Sequence, residues 1–131
     1  MTMAGEFLLD TNIVSAALDG DPNVWAEIAN ADQVLLVSVV AGELYFGAIN
    51  SAHPDQNYQQ IENFISSVAV LPIDIEVARR YGRMGWELQK AGTKIPQNDM
   101  WVAATALRHG LTLSTRDSHF QYVQGLKTVA W

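Results

Sequence analysis

Four acidic residues, Asp10, Glu43, Asp99 and Asp117, stand where a charged side chain is energetically awkward. Asp10 ends the apolar run Phe7-Leu8-Leu9, and Asp117 lies just beyond Leu111-Thr112-Leu113-Ser114. Glu43 and Asp99 fall on the apolar stripes of two helical segments. An inward-facing carboxylate is costly unless it is paired or coordinates a metal. Four brought together without a counter-charge would hold protons near neutral pH. A shared hard cation removes that difficulty. An all-oxygen donor set in a chain without cysteine favours Mg²⁺, Mn²⁺ or Ca²⁺ over zinc.

Each acid also has an ordinary role to weigh. Asp10 can cap the helix after it, with Thr11 and Asn12 orienting its carboxylate. Glu43 has Val39, Val40, Phe46 and Gly47 as helical neighbours, and small Gly42, Gly47 and Ala48 allow close approach of another element. Asp99 shares a stripe with Val102, Ala103 and Ala106, and an acid at a helix start is favoured by the macrodipole. Asn98 is available as the cap in its place. Asp117 reads as a loop residue, with the Thr115 hydroxyl beside it. His53, His109 and His119 have no metal-binding spacing and read as surface or loop residues. There is no glycine-rich phosphate loop, nucleophile elbow or Ser-His-Asp set.

The elements that must position these acids alternate between strand and helix. Strands are expected at 6–9, 34–37, 68–71, 111–114 and 127–130. Helices are expected from Thr11 to Leu18, Asn23 to Ala29, Ser38 (as cap) to Ser51, Tyr58 to Phe64 or Ile65, Ile73 to Lys90 and Asp99 to His109, with one turn at Ser118–Tyr122. This alternation, with near-continuous apolar strands, predicts an α/β fold around a mostly parallel sheet. Sites in such sheets lie beyond the carboxyl ends of strands, where all four acids can converge.

The 131 residues suffice for one domain with a real core, taken as 1–131. No apolar run approaches a membrane span, no signal peptide is read, and the lack of cysteine suits a reducing cytoplasm. The net charge of −6 divides unevenly, with residues 1–78 carrying −11 and no Lys or Arg, and residues 79–131 carrying +5. Such asymmetry points to a charged partner. Arg79, Arg83 and Lys90 recur along one helix as a possible phosphate-facing stripe, against a solvated face paired internally as Glu76–Arg80 and Arg83–Glu87. Arg116, beside the acids by sequence, is the better candidate for a phosphate contact.

The segments Phe7-Leu8-Leu9-Asp10-Thr11-Asn12, Ser38-Val39-Val40-Ala41-Gly42-Glu43-Leu44, Asn98-Asp99-Met100-Trp101-Val102-Ala103-Ala104 and Leu113-Ser114-Thr115-Arg116-Asp117-Ser118-His119-Phe120 resemble, in order and spacing, those of PIN-domain ribonucleases of the VapC toxin type. The resemblance spans nearly the whole chain. It implies a three-layer PIN-like fold and a Mg²⁺- or Mn²⁺-dependent endoribonuclease acting as a toxin. It puts the metal-binding acids at Asp10, Glu43, Asp99 and Asp117, the last in a position that varies in the family. It also implies a homodimer and a VapB-like antitoxin whose C-terminal segment covers the active-site groove. Two other readings are a phosphatase or phosphotransfer domain with an acidic Mg²⁺ site and a catalytically silent PIN fold. The first lacks an acid at position 12, where the chain has Asn12.

Overall fold

Short strands that are apolar almost throughout fit only a sheet covered on both faces. The computed structural model, which describes residues 5–131, has such a sheet. The elements run β1 (Glu6–Leu9), α1 (Thr11–Leu18), α2 (Pro22–Asn30), β2 (Gln33–Val37), α3 (Ser38–Ile49), α4 (Pro54–Ser66), β3 (Ala69–Leu71), α5 (Ile75–Lys90), α6 (Gln97–His109), β4 (Thr112–Ser114), a 3₁₀ turn (Ser118–Tyr122) and β5 (Thr128–Val129). The strand order is β3-β2-β1-β4-β5, and every neighbouring pair is parallel. The fold is therefore the α/β arrangement expected, a central parallel sheet flanked by helices.

Leu8, Leu9, Leu36, Val37 and Leu113 from the three inner strands are fully buried, and Ile13, Val14, Val40, Val77 and Val102 cover them from the helices. Burying a side chain of this kind stabilises the fold by roughly 1.5–3 kcal/mol. The sheet and the helices on it therefore form the rigid frame on which the site is carried.

Where element boundaries differ from expectation, local chemistry accounts for it. Pro22 and Pro54 each stand in the first turn of a helix, where a missing N–H costs nothing. Helix α4 thus begins at Pro54, four residues before Tyr58. Helix α5 begins at Ile75 because the Asp74 carboxylate accepts the Val77 N–H at 2.9 Å. Ser38 is the first residue of α3, not its cap; Val37 holds that position without a side-chain hydrogen bond. Gly110 closes α6 in the left-handed region (φ 66°), as expected of a glycine after a helix.

The longest helix relies on one side-chain cap. Asp74→Ala should lower stability by about 1 kcal/mol. Urea denaturation should show a lower midpoint with an unchanged slope, because the buried area does not change.

Candidate metal centre

Strand β1 is paired on both sides, so its end is fixed. The Asp10 N–H donates to the Ser114 carbonyl at 2.9 Å, carrying the β1–β4 pairing one residue past Leu9. The chain then turns into α1, and Asp10 becomes its N-cap: Oδ1 accepts the Thr11 N–H at 2.8 Å. Its other oxygen, Oδ2, accepts the Thr115 hydroxyl at 2.7 Å and the Asn12 amide at 3.4 Å. The capping role and a role in the site are therefore not alternatives, since each uses its own oxygen. Asp10 is 4% exposed.

Glu43 reaches the same place from α3. Its Oε1 accepts the Thr11 hydroxyl at 3.2 Å, and its Oε2 accepts the Asn98 amide at 3.1 Å. It does not lie in the middle of an apolar face. Val40 and Leu44 are buried, but Phe46 is 71% exposed, and a Cβ at Gly42 or Gly47 would meet nothing within 4 Å. Glu43 sits at the edge of the buried stripe, half-exposed. Asn98 is not the cap of α6, a place held by Pro96. It lies in the first turn and spends its amide on Glu43.

Asp99, on the same turn of α6, is buried. Its Oδ2 lies 2.7 Å from Nε2 of His119, whose Nδ1 is 3.6 Å from Oδ1 of Asp117. Asp99, Asp117 and His119 form the tightest set of possible ligand atoms among the described residues, all within 4.8 Å of one another. His119 is thus not the plain surface or loop residue expected. Its spacing to the other histidines carried no signal; its position two residues after Asp117 was the clue in the sequence. Asp117 is exposed, and its N–H donates to the Thr115 hydroxyl at 3.0 Å. Thr115 therefore links Asp10 to Asp117.

Burial is the largest influence on three of the carboxyls, and it raises all three above the ordinary range. For Asp10, hydrogen bonds from Thr115 and Thr11 oppose the rise, and the Asp117 charge adds to it. For Glu43, the Thr11 and Asn98 hydrogen bonds oppose it, and the charges of Asp10 and Asp99 add to it. For Asp99, repulsion from Asp10 follows burial in size, and His119 acts against both. Among the described residues, none of the four acids is paired with a Lys or Arg. The site is a cluster of oxygen donors that repel one another, which suits a hard divalent cation.

The basic residues singled out in the sequence lie elsewhere in their contacts. The Arg116 guanidinium bonds the Asp21 carboxylate at 2.8 Å and the Trp131 carbonyl at 2.9 Å, and this hydrogen bond holds Asp21 below the usual carboxylate range. Its backbone N–H bonds the Asn12 side chain at 3.2 Å. Arg83 pairs with Glu87 as the solvated-face reading has it, while Glu76 pairs with Arg79 and not Arg80. Lys90 lies over the Trp86 ring. From Thr11 and Glu43 a groove of about 330 Å³ extends past Ser15, Gly47 and Ile61, between α1, α3 and α4.

The PIN domain family model matches residues 7–126. Ribonuclease VapC2 of Haemophilus influenzae is 34% identical over 132 residues, covering 96% of this chain and 98% of that protein. The tRNA(fMet)-specific endonuclease VapC of Shigella flexneri is 33% identical over 129 residues, with coverage of 96% and 98%. Among solved structures, DNA-bound VapBC from Salmonella typhimurium superposes with a TM-score of 0.91 at 29% identity, covering 98% of this chain and 99% of that one. With its parallel sheet and its acids gathered at the sheet's carboxyl edge, the chain belongs to the PIN-domain family and groups there with the VapC ribonucleases.

Proposed function

We infer that this chain is an endoribonuclease that hydrolyses RNA phosphodiester bonds as the toxin of a VapBC-like toxin–antitoxin system. The observation that carries the reading is the acidic centre: carboxylates from the end of β1, α3, α6 and the loop after β4 lie near enough to repel one another, without a Lys or Arg partner among the described residues. Relatives named ribonuclease or endonuclease support it. A phosphotransfer role has no support among these relatives.

The residues fit Mg²⁺ or Mn²⁺, with Asp10, Glu43, Asp99 and Asp117 as the proposed holders. Such an ion supplies a more acidic water and neutralises charge at the scissile phosphate. The chain's own groups do the positioning. Thr115 and Thr11 fix Asp10, Thr11 and Asn98 fix Glu43, and Asn12 ties the Arg116 backbone to the end of β1. Hydrolysis in line would leave a 5′-phosphate and a 3′-hydroxyl, with no side-chain nucleophile. Arg116, next to Asp117, is the proposed phosphate contact, exchanging Asp21 for a phosphate oxygen. Arg79 and Arg83 keep their glutamates and act at longer range. A VapB-like antitoxin would lay its C-terminal segment in the groove beside Glu43, and the active unit is proposed to be a homodimer of single-domain chains. No helix of the described residues is long and apolar enough to cross a membrane; a cytoplasmic location is part of the proposal.

Two measurements test this reading. Purified, antitoxin-free protein should cleave RNA with Mg²⁺ or Mn²⁺ and lose that activity in EDTA. Asp10→Asn should reduce cleavage by more than the roughly 100-fold typical of changes outside the ligand set. Cleavage that survives both EDTA and this substitution would refute the mechanism.

The second measurement is stability against pH. Asp10, Glu43 and Asp99 have folded-state pKa values raised above those of an unfolded chain. Their contribution to stability is therefore present below the unfolded values and is lost as pH rises through the folded ones. Metal-free protein should melt higher on going from neutral toward mildly acidic pH. Asp10→Asn should flatten that dependence and match or exceed the metal-free melting temperature of the unsubstituted chain. Added Mn²⁺ should raise the melting temperature of the unsubstituted chain and leave the variant unmoved.

A further inference from the structure

We propose that His119 is a positioning residue of the acidic centre, holding the Asp99 carboxylate in the orientation that a divalent cation requires. The inference rests on the metal-dependent reading above and deepens it.

The hydrogen bonds of Asp10, Glu43 and Asp99 are unequal. Asp10 receives three, from the Thr11 N–H, the Thr115 hydroxyl and the Asn12 amide. Glu43 receives two, from Thr11 and Asn98. Asp99, among the described residues, has one, the 2.7 Å contact of its Oδ2 with His119 Nε2. The terminal torsion of an Asp is soft, so a buried carboxylate with a single donor takes its orientation from that donor. An ionised carboxylate only accepts, so facing one Nε2 carries the hydrogen and donates it; Asp99 Oδ2 is then engaged and Oδ1 is left for a ligand.

The ring is built in from behind. His119 lies on the 3₁₀ turn, where Phe120 is 1% exposed, and Val123, just after the turn, is buried. Its ring packs on that of Phe120, with centroids 4.8 Å apart. The turn follows Asp117 directly, and Nδ1 faces Asp117 Oδ1 at 3.6 Å. One core-anchored ring thus spans carboxylates from α6 and from the loop after β4. Outer partners of metal ligands commonly act this way, orienting the ligand without touching the metal.

The test is Mn²⁺ binding by the intact, antitoxin-free chain, read from the free-ion electron paramagnetic resonance signal. His119→Phe keeps a ring against Phe120 and removes the donor; it should weaken Mn²⁺ affinity about 10–100-fold. His119→Gln restores an N–H donor and should recover most of the loss. Should His119→Phe fail to fold, as judged by near-ultraviolet circular dichroism, His119→Leu takes its place. Affinity within about twofold of the unsubstituted chain for a donor-free variant, set against the 10–100-fold expected, would overturn the proposal. So would a nitrogen bonded directly to Mn²⁺ in the pulsed spectrum, since His119 would then be a ligand. Asp10→Asn separates the two levels. If it abolishes binding while His119→Phe does not, only the His119 inference falls. If it binds Mn²⁺ as well as the unsubstituted chain, or if the unsubstituted chain itself does not bind, the metal-dependent reading falls with it.

Discussion

The parallel pairing of β1 with β4 is the constraint on which the rest of the site depends. These two strands are adjacent in the sheet although more than one hundred residues separate them in sequence: Leu9 lies in register with Ser114. The pairing continues through the Asp10 N–H to the Ser114 carbonyl, and one residue later the Thr115 hydroxyl meets the Asp10 carboxylate. The strand order β3-β2-β1-β4-β5 turns back between β1 and β4. In open parallel sheets, ligand sites form at such a reversal, outside the carboxyl ends of the strands. Here the reversal leaves a crevice that α3 and α6 line with Glu43 and Asp99.

The price of that architecture is electrostatic. Burial and mutual repulsion push the carboxyls of Asp10, Glu43 and Asp99 upward, and the hydrogen bonds from Thr11, Thr115 and Asn98 recover only part of the cost. The hydroxyl and amide donors are neutral, so they orient the acids without discharging them. A Lys or Arg in their place would neutralise the cluster and compete with a cation. The three arginines singled out are engaged by other groups than these acids: Arg116 by Asp21 and the Trp131 carbonyl, and Arg79 and Arg83 by glutamates on their own helix.

His119 shows how sequence spacing and spatial proximity part company. Histidine ligands or partners on one helix announce themselves by spacings of three or four. His119 instead reaches Asp99, twenty residues earlier, because α6 and the 3₁₀ turn both begin at the same edge of the sheet. Glu43 gives the opposite lesson. Its apolar neighbours in sequence suggested a deeply buried acid, yet Phe46 faces outward, and the half-exposed Glu43 borders the groove.

Much was determined by the sequence alone. The alternation of apolar runs with capped, periodic segments specifies a parallel α/β sheet, because each pattern buries its apolar face in one way only. Asp10, Glu43 and Asp99 could be singled out because inward acids without local cations are costly, whereas Asp117, singled out with them, is exposed. Tertiary structure decided what local pattern does not encode. It chose which oxygen of Asp10 caps α1 and which accepts Thr115. It gave Asn98 to Glu43, His119 to Asp99 and Arg116 to Asp21. Apart from the local Thr11 cap, each of these contacts joins residues far apart in the chain, and such pairing is fixed by register and helix placement, not by the order of residues along the chain.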